Sequence, residues 1–199
     1  MRCLLLLLIF CCCCRPDKLD SVEALIAYTA DKDNGLTKSA VVDDYRIELV
    51  YKPTDLLVRQ EIEGLQVDET QLEKIRAKYT SYYYFLLKLS KNDREALQTG
   101  SGYGELVQIL SFRMGNYVSL TTSKSDTIPV GDFALNRTHG LNSSTDLLFA
   151  FNREKTLKQE WVQFNLNEFG LGIGNQRFRF NCEDIEASPK INFKITKKD

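Results

Sequence analysis

The segment that most constrains this chain is its start. Cys3 through Cys14 is an unbroken apolar run of twelve residues, preceded by Met1-Arg2 and closed by Arg15-Pro16-Asp17-Lys18. A membrane-spanning helix needs about 20 apolar residues, so this run is too short to cross. Its length matches the apolar core of a secretory signal, roughly 7–15 residues. It also holds five of the six cysteines, Cys3 and Cys11 to Cys14, leaving Cys182 alone in the body. The body therefore has no disulfide framework and must fold on a hydrophobic core.

Cysteine follows the apolar run where an ordinary signal peptide has an Ala-x-Ala-like site. That order resembles a bacterial lipoprotein precursor, in which a Cys thiol carries lipid and the chain is cut just before it. Cys12 as the modified residue places Ile9-Phe10-Cys11 ahead of it, with Cys13, Cys11 and Cys14 as alternatives. The resemblance implies a signal peptide at 1–11, a lipid-bearing Cys and short tether at 12–20, and one globular domain at 21–199. A palmitoylated cysteine cluster of eukaryotic type is the other acylation reading, and a short buried element the third. Several acyl chains, at ~0.8 kcal/mol per buried methylene, anchor a protein stably without a spanning helix.

Val50-Tyr51-Lys52-Pro53-Thr54-Asp55-Leu56-Leu57, and Arg137-Thr138-His139-Gly140-Leu141 followed by Asp146 to Phe151, are similar to small uncharacterised lipoproteins of Bacteroidota. Asp20-Ser21-Val22 and Asp126-Thr127-Ile128 match an Asp-Ser/Thr-aliphatic pattern that resembles O-glycosylation sites of secreted proteins of that group. Ser21 and Thr127 are therefore candidate glycosylation sites.

The rest reads as a single α+β domain, with short helices in the first half and a mainly antiparallel, strand-rich C-terminal half. Leu19–Ala30 has a helical face at Val22, Leu25, Ile26 and Thr29, with Asp20 or Ser21 as cap. Val41–Tyr51 alternates as a strand, with Tyr45, Ile47, Leu49 and Tyr51 on one face. Thr54 can cap a helix carrying Leu57, Ile62 and Leu65, and Asp68…Gln71 has capping-box spacing before Leu72, Ile75 and Tyr79. Ser81–Leu89 is apolar on both faces, as a central strand is. Arg94–Gln98 and Glu105–Met114 read as helical. Strands are then expected at Tyr117–Thr121, Thr127–Leu135, Asp146–Phe151, Glu160–Leu166, Gln176–Phe180 and Ile191–Ile195.

The chemistry-bearing patterns are incomplete. With 26 Lys+Arg against 27 Asp+Glu, bulk charge gives nucleic acid no purchase. His139 is the only histidine, and Cys182 its only thiol companion outside the leader, in the acidic setting Glu183-Asp184 that opposes thiolate formation. Asp31-x-Asp33 fails the calcium-loop pattern at Gly35, Leu36 and Val42. Gly100 to Gly104 and Gly170 to Gly174 lack the rest of a nucleotide motif. Tyr82 to Phe85 and Trp161 could stack on a glycan, but alternation sends half of that run to each face. Neither Asp43-Asp44 nor Glu183-Asp184 is spaced as an acid/base couple.

These readings expect a lipid-anchored, non-catalytic accessory or binding protein of the cell envelope, periplasmic or surface-facing, with the outer membrane as its place. Its partners would be the membrane, through the N-terminal lipid, and a protein of the envelope. No cofactor, metal, nucleotide or nucleic acid is expected. The alternatives are an envelope hydrolase whose carboxylates the fold assembles, and an immunity or inhibitor lipoprotein.

Overall fold

Alternating apolar residues dominate the chain, and two antiparallel sheets packed face to face bury them. The computed structural model describes residues 15–97, 102–136 and 142–193. In chain order, β1 (Lys18–Leu19) leads into α1 (Val22–Ala30), then the hairpin of β2 (Thr37–Val42) and β3 (Tyr45–Tyr51). Two helices follow, α2 (Thr54–Glu61) and α3 (Glu69–Thr80), then β4 (Tyr82–Lys91) and the short β5 (Arg94–Glu95). Helix α4 (Tyr103–Gln108) runs into a wider π-turn over Ile109–Arg113. Strands β6 (Val118–Thr122), β7 (Thr127–Pro129), β8 (Asp132–Asn136), β9 (Thr145–Asn152), β10 (Trp161–Leu166) and β11 (Gln176–Asn181) precede α5 (Cys182–Glu186) and β12 (Lys190–Ile191).

The larger sheet has the order β2-β3-β4-β9-β8, with β5 on β4, and the smaller has β11-β10-β6-β7. All pairs within them are antiparallel. Phe85 on β4 meets Phe164 on β10 at 5.7 Å and Phe180 on β11 at 5.1 Å between ring centroids, which joins the two inner faces. Tilted and edge-on contacts of this kind suit the ring quadrupole. The α+β class is as the sequence predicts, and Ser81–Leu89 is indeed central, paired to β3 on one side and β9 on the other.

Several local expectations are met by specific bonds. Ser21 caps α1, its Oγ accepting the Ala24 N–H at 3.1 Å. Asp68 and Gln71 form the reciprocal capping box, at 2.8 and 2.9 Å. Others differ. The first half supplies four strands of the larger sheet, β2 to β5, as well as helices, and Asp43, at a left-handed φ of 49°, folds the expected Val41–Tyr51 strand into a hairpin. Thr127–Leu135 is two strands in different sheets, broken at Val130-Gly131. Arg94–Glu95 pairs with β4 instead of forming a helix. Thr54 does not cap α2; Pro53 stands at that position, and Leu65 lies beyond the helix end, 61% exposed.

The segment expected as a tether is docked where it is described. Lys18–Leu19 pairs in parallel with Lys190–Ile191, and Arg15 bonds Asp184 at 2.7 Å. The apolar leader, including Cys11 to Cys14, lies outside the described residues.

Candidate functional site: a groove on the outer face of the larger sheet

On β3, Ile47, Leu49 and Tyr51 face the core, so Glu48 and Val50 face outward, and Lys52 follows just past the strand end. On β4, Phe85, Leu87 and Leu89 face inward, leaving Tyr84, Leu86 and Lys88 outside. Register puts Val50 directly opposite Leu86 and Glu48 opposite Lys88. A one-sided sheet alternates apolar-in and polar-out. Val50 and Leu86 break that rule together, so something must cover them.

Helices α1 and α2 cover them incompletely. Leu25 of α1 is fully buried and Thr29 nearly so, and the Thr37 hydroxyl fixes the helix by donating to the Thr29 carbonyl at 2.7 Å. That orientation leaves Ile26 52% exposed, with Val22 beside it, facing Leu56 of α2 across a cavity of about 370 Å³. Val50 and Leu86 floor the cavity. Charged side chains stand at its margin. Lys88 pairs with Glu48 at 3.4 Å, and Lys52 donates to Gln60 at 3.1 Å. Among the described residues, neither Lys52 nor Arg59 forms an ion pair. Burial pushes the Lys52 ammonium below its ordinary value, the expected response of a half-covered cation without a counter-ion. The result is an apolar trough with surplus positive charge at its edge.

A second cavity, about 450 Å³, is polar and lies between α3, α5 and the start of α2. Asp55, Glu73 and Glu186 line it with Arg76 and Arg153. Its carboxylates are already occupied. Asp55, 5% exposed, accepts from Arg76 Nε and Nη2 at 3.0 Å each and from the Ile191 N–H at 2.6 Å. Glu186 accepts from the Tyr83 hydroxyl at 2.7 Å and pairs with Arg153, whose guanidinium sits 5.6 Å from the Tyr83 ring. Burial pushes the Tyr51 and Tyr83 hydroxyls far above their ordinary value, keeping both neutral. This cluster ties helices to sheet and offers no free carboxylate pair for acid/base work.

Other residues singled out by sequence take structural roles. Cys182 is buried, its thiol pushed up to about 11 by burial first and Glu186 second. The direction is as expected, but Glu183 and Asp184 are not the cause: Asp184 turns to Arg15 and to Asn181. His139 lies outside the described residues. Asp31 Oδ1 accepts the Asp33 N–H at 3.0 Å as a turn cap, and no group able to hold a metal ion occurs among the described residues. Tyr83 and Phe85 enter the core while Tyr82 and Tyr84 pack outside with Tyr79. Arg179 covers the Trp161 ring at 3.9 Å. Ser21 spends its hydroxyl as a helix cap, and Thr127 is exposed on the edge strand β7.

The Gly170–Gly174 segment is not extended, as alternating glycines in a strand would be. Gly170, Gly172 and Gly174 have φ of 109°, 74° and 63°, and their N–H groups converge on the Glu168 carboxylate at 2.7, 2.9 and 2.5 Å. It is an anion-holding nest filled by the chain's own side chain.

The fold and groove thus define an α+β two-sheet domain with an open, largely non-polar trough on one face. No family model matches the chain, and no curated protein matches it. Among solved structures it is similar to a protein of unknown function from Burkholderia pseudomallei, at 13% identity, with 83% of this chain and 86% of that one covered and a TM-score of 0.42. It is also similar to a DUF4426 family protein from Pseudomonas aeruginosa, at 13% identity, covering 73% and 92% respectively, with a TM-score of 0.40.

Proposed function

We propose that this chain is a lipid-anchored, non-catalytic binding protein of the cell envelope, held at the membrane through Cys12 or a neighbouring cysteine of Cys11 to Cys14. The observation that carries the binding role is the open trough over Val50 and Leu86, where two helices stop short of covering an apolar floor. Support for the anchor comes from the leader: twelve apolar residues, too short to span, ending in four consecutive cysteines. No helix among the described residues is long and apolar enough to cross a membrane, so a lipid would be the attachment this reading uses. The docking of Lys18–Leu19 onto β12 leaves only a few residues between Cys12 and the domain, which would hold the trough close to the bilayer.

The hydrolase reading requires two available carboxylates, and those of the polar cleft are engaged by arginines. Metabolic labelling with an alkyne fatty acid tests the anchor. Label should enter the membrane fraction of the natural chain and vanish when Cys11 to Cys14 are all changed to Ser. No label in the natural chain, or label unchanged in the variant, would overturn it.

A further inference from the structure

The shape of the trough restricts what can occupy it. Its floor is sheet interior: β3 is hydrogen-bonded to β2 on one side and β4 on the other. An added peptide strand has no backbone to pair with there, so contact runs through side chains alone. A volume of about 370 Å³ equals roughly a dozen water-sized groups at ~30 Å³ each. That is room for a small ligand; a folded protein partner covers about 800 Å² on each side.

Charge supplies the other end of the ligand. Lys52 lies two residues beyond Val50, just past the end of β3, and lines the same cavity. Arg59 flanks it from α2, and neither has a carboxylate partner among the described residues, whereas Lys88 is already matched by Glu48. Hydrocarbon laid over Val50 and Leu86 between Ile26 and Leu56 would end beside these two cations.

We propose that the trough binds a single-chain anionic amphiphile, a fatty-acid-like carboxylate of about eight to twelve carbons. Its tail lies on Val50 and Leu86, and its carboxylate meets Lys52 and Arg59. This rests on the binding role proposed above and gives it a ligand class. The planar guanidinium of Arg59 can take both carboxylate oxygens, and Lys52, half-covered and lacking a counter-ion, regains one. Tail recognition is non-directional and scales with length, up to about fourfold in affinity per buried methylene until the floor is full.

The test uses the full chain in phosphatidylcholine nanodiscs with a diazirine-bearing dodecanoate, its dodecanol counterpart as control, and peptide mapping of the photo-adducts. The carboxylate should label the α1 and β3–β4 segments containing Ile26, Val50 and Leu86 at least tenfold more than the alcohol. Competition by unlabelled acids should strengthen from hexanoate to decanoate. The double variant Lys52→Gln/Arg59→Gln, both half-buried at the cavity margin, should lose at least tenfold of the carboxylate labelling and keep the alcohol's. Adducts scattered over the surface, equal labelling by acid and alcohol, or an unaffected double variant would overturn the proposal. So would covalent dimers through the trough, or labelling that emerges only once Cys11 to Cys14 are Ser, which would make the tenant the chain's own lipid. Absence of metabolic lipid label from the natural chain, with trough adducts intact, would sink the anchor and leave the ligand standing.

Discussion

Replacing Asp55 by Ala should destabilise the fold by about 3 kcal/mol, at the low end of the ~3–5 kcal/mol for breaking a buried ion pair. The structure sets where in that range the loss falls. Asp55 sits in the first turn of α2, 5% exposed, and its two oxygens accept three hydrogen bonds. Alanine leaves the Ile191 N–H without its acceptor, ~1–3 kcal/mol by itself. It also strips Arg76 of its main counter-ion. The Arg76 side chain is 20% exposed and keeps Glu73 at 3.0 Å and the Ile191 carbonyl at 3.1 Å, which pulls the total toward the lower bound. At 2–4 °C per kcal/mol for a chain of this size, Tm should fall by roughly 6–12 °C. Asp55→Asn keeps an acceptor for Ile191 but not the charge, and should fall between. Thermal unfolding gives the loss; hydrogen exchange at the Ile191 amide shows whether β12 loosens first. A drop under 1 kcal/mol in Asp55→Ala, or unchanged exchange at Ile191, would refute the clamp.

Three further outcomes follow from local geometry. Burial works against the Glu168 charge, yet the N–H groups of Gly172, Gly170, Gly174 and Leu171 outweigh it and hold the carboxyl below its usual range. A lowered folded value stabilises above the unfolded value of ~4.3 and is lost as pH falls through the folded one. Glu168→Gln should therefore cost about 1–2 kcal/mol at pH 7, and the gap in Tm should close below about pH 4; a pH-independent gap would contradict the nest. Cys182, with its thiol near 11, should be alkylated at pH 8 roughly 10²-fold more slowly in the folded chain than in urea, read at its own peptide; equal rates would contradict its burial. Gly35→Ala places Cβ 2.5 Å from Asp184 Oδ2 at φ 75°, whereas Gly64→Ala at φ 74° meets nothing within 4 Å. Both carry the left-handed penalty of ~1 kcal/mol, so Gly35→Ala should be the worse by calorimetry; the reverse order would show that the Gly35–Asp184 approach is not tight.

Much of the fold was legible because alternation reports which residues face a core. Tyr51, Tyr83, Phe85, Phe149 and Phe151 all point inward as their period-two pattern requires. Caps were legible where the bond is local, as at Ser21 and Asp68. Alternation cannot say which sheet a strand joins, so the break at Val130-Gly131 was invisible. Long-range pairing was equally hidden: the partners of Asp55 lie 21 and 136 residues away. The trough left a signal that passed as something else. The two-sided apolarity of Ser81–Leu89 marks a central strand, which β4 is. It also meant that Leu86 faced outward, and Val50 breaks the alternation of β3 at the register position opposite.

Lipid on the leader cysteines is the central claim of the proposed function. The direct measurement is the intact mass of the protein extracted from membranes of its own cells, with the N-terminal peptide sequenced by fragmentation. A chain beginning at Cys12, or at Cys11, Cys13 or Cys14, and carrying acyl mass on that residue is the predicted result. A chain recovered with Cys11 to Cys14 as unmodified thiols would contradict it.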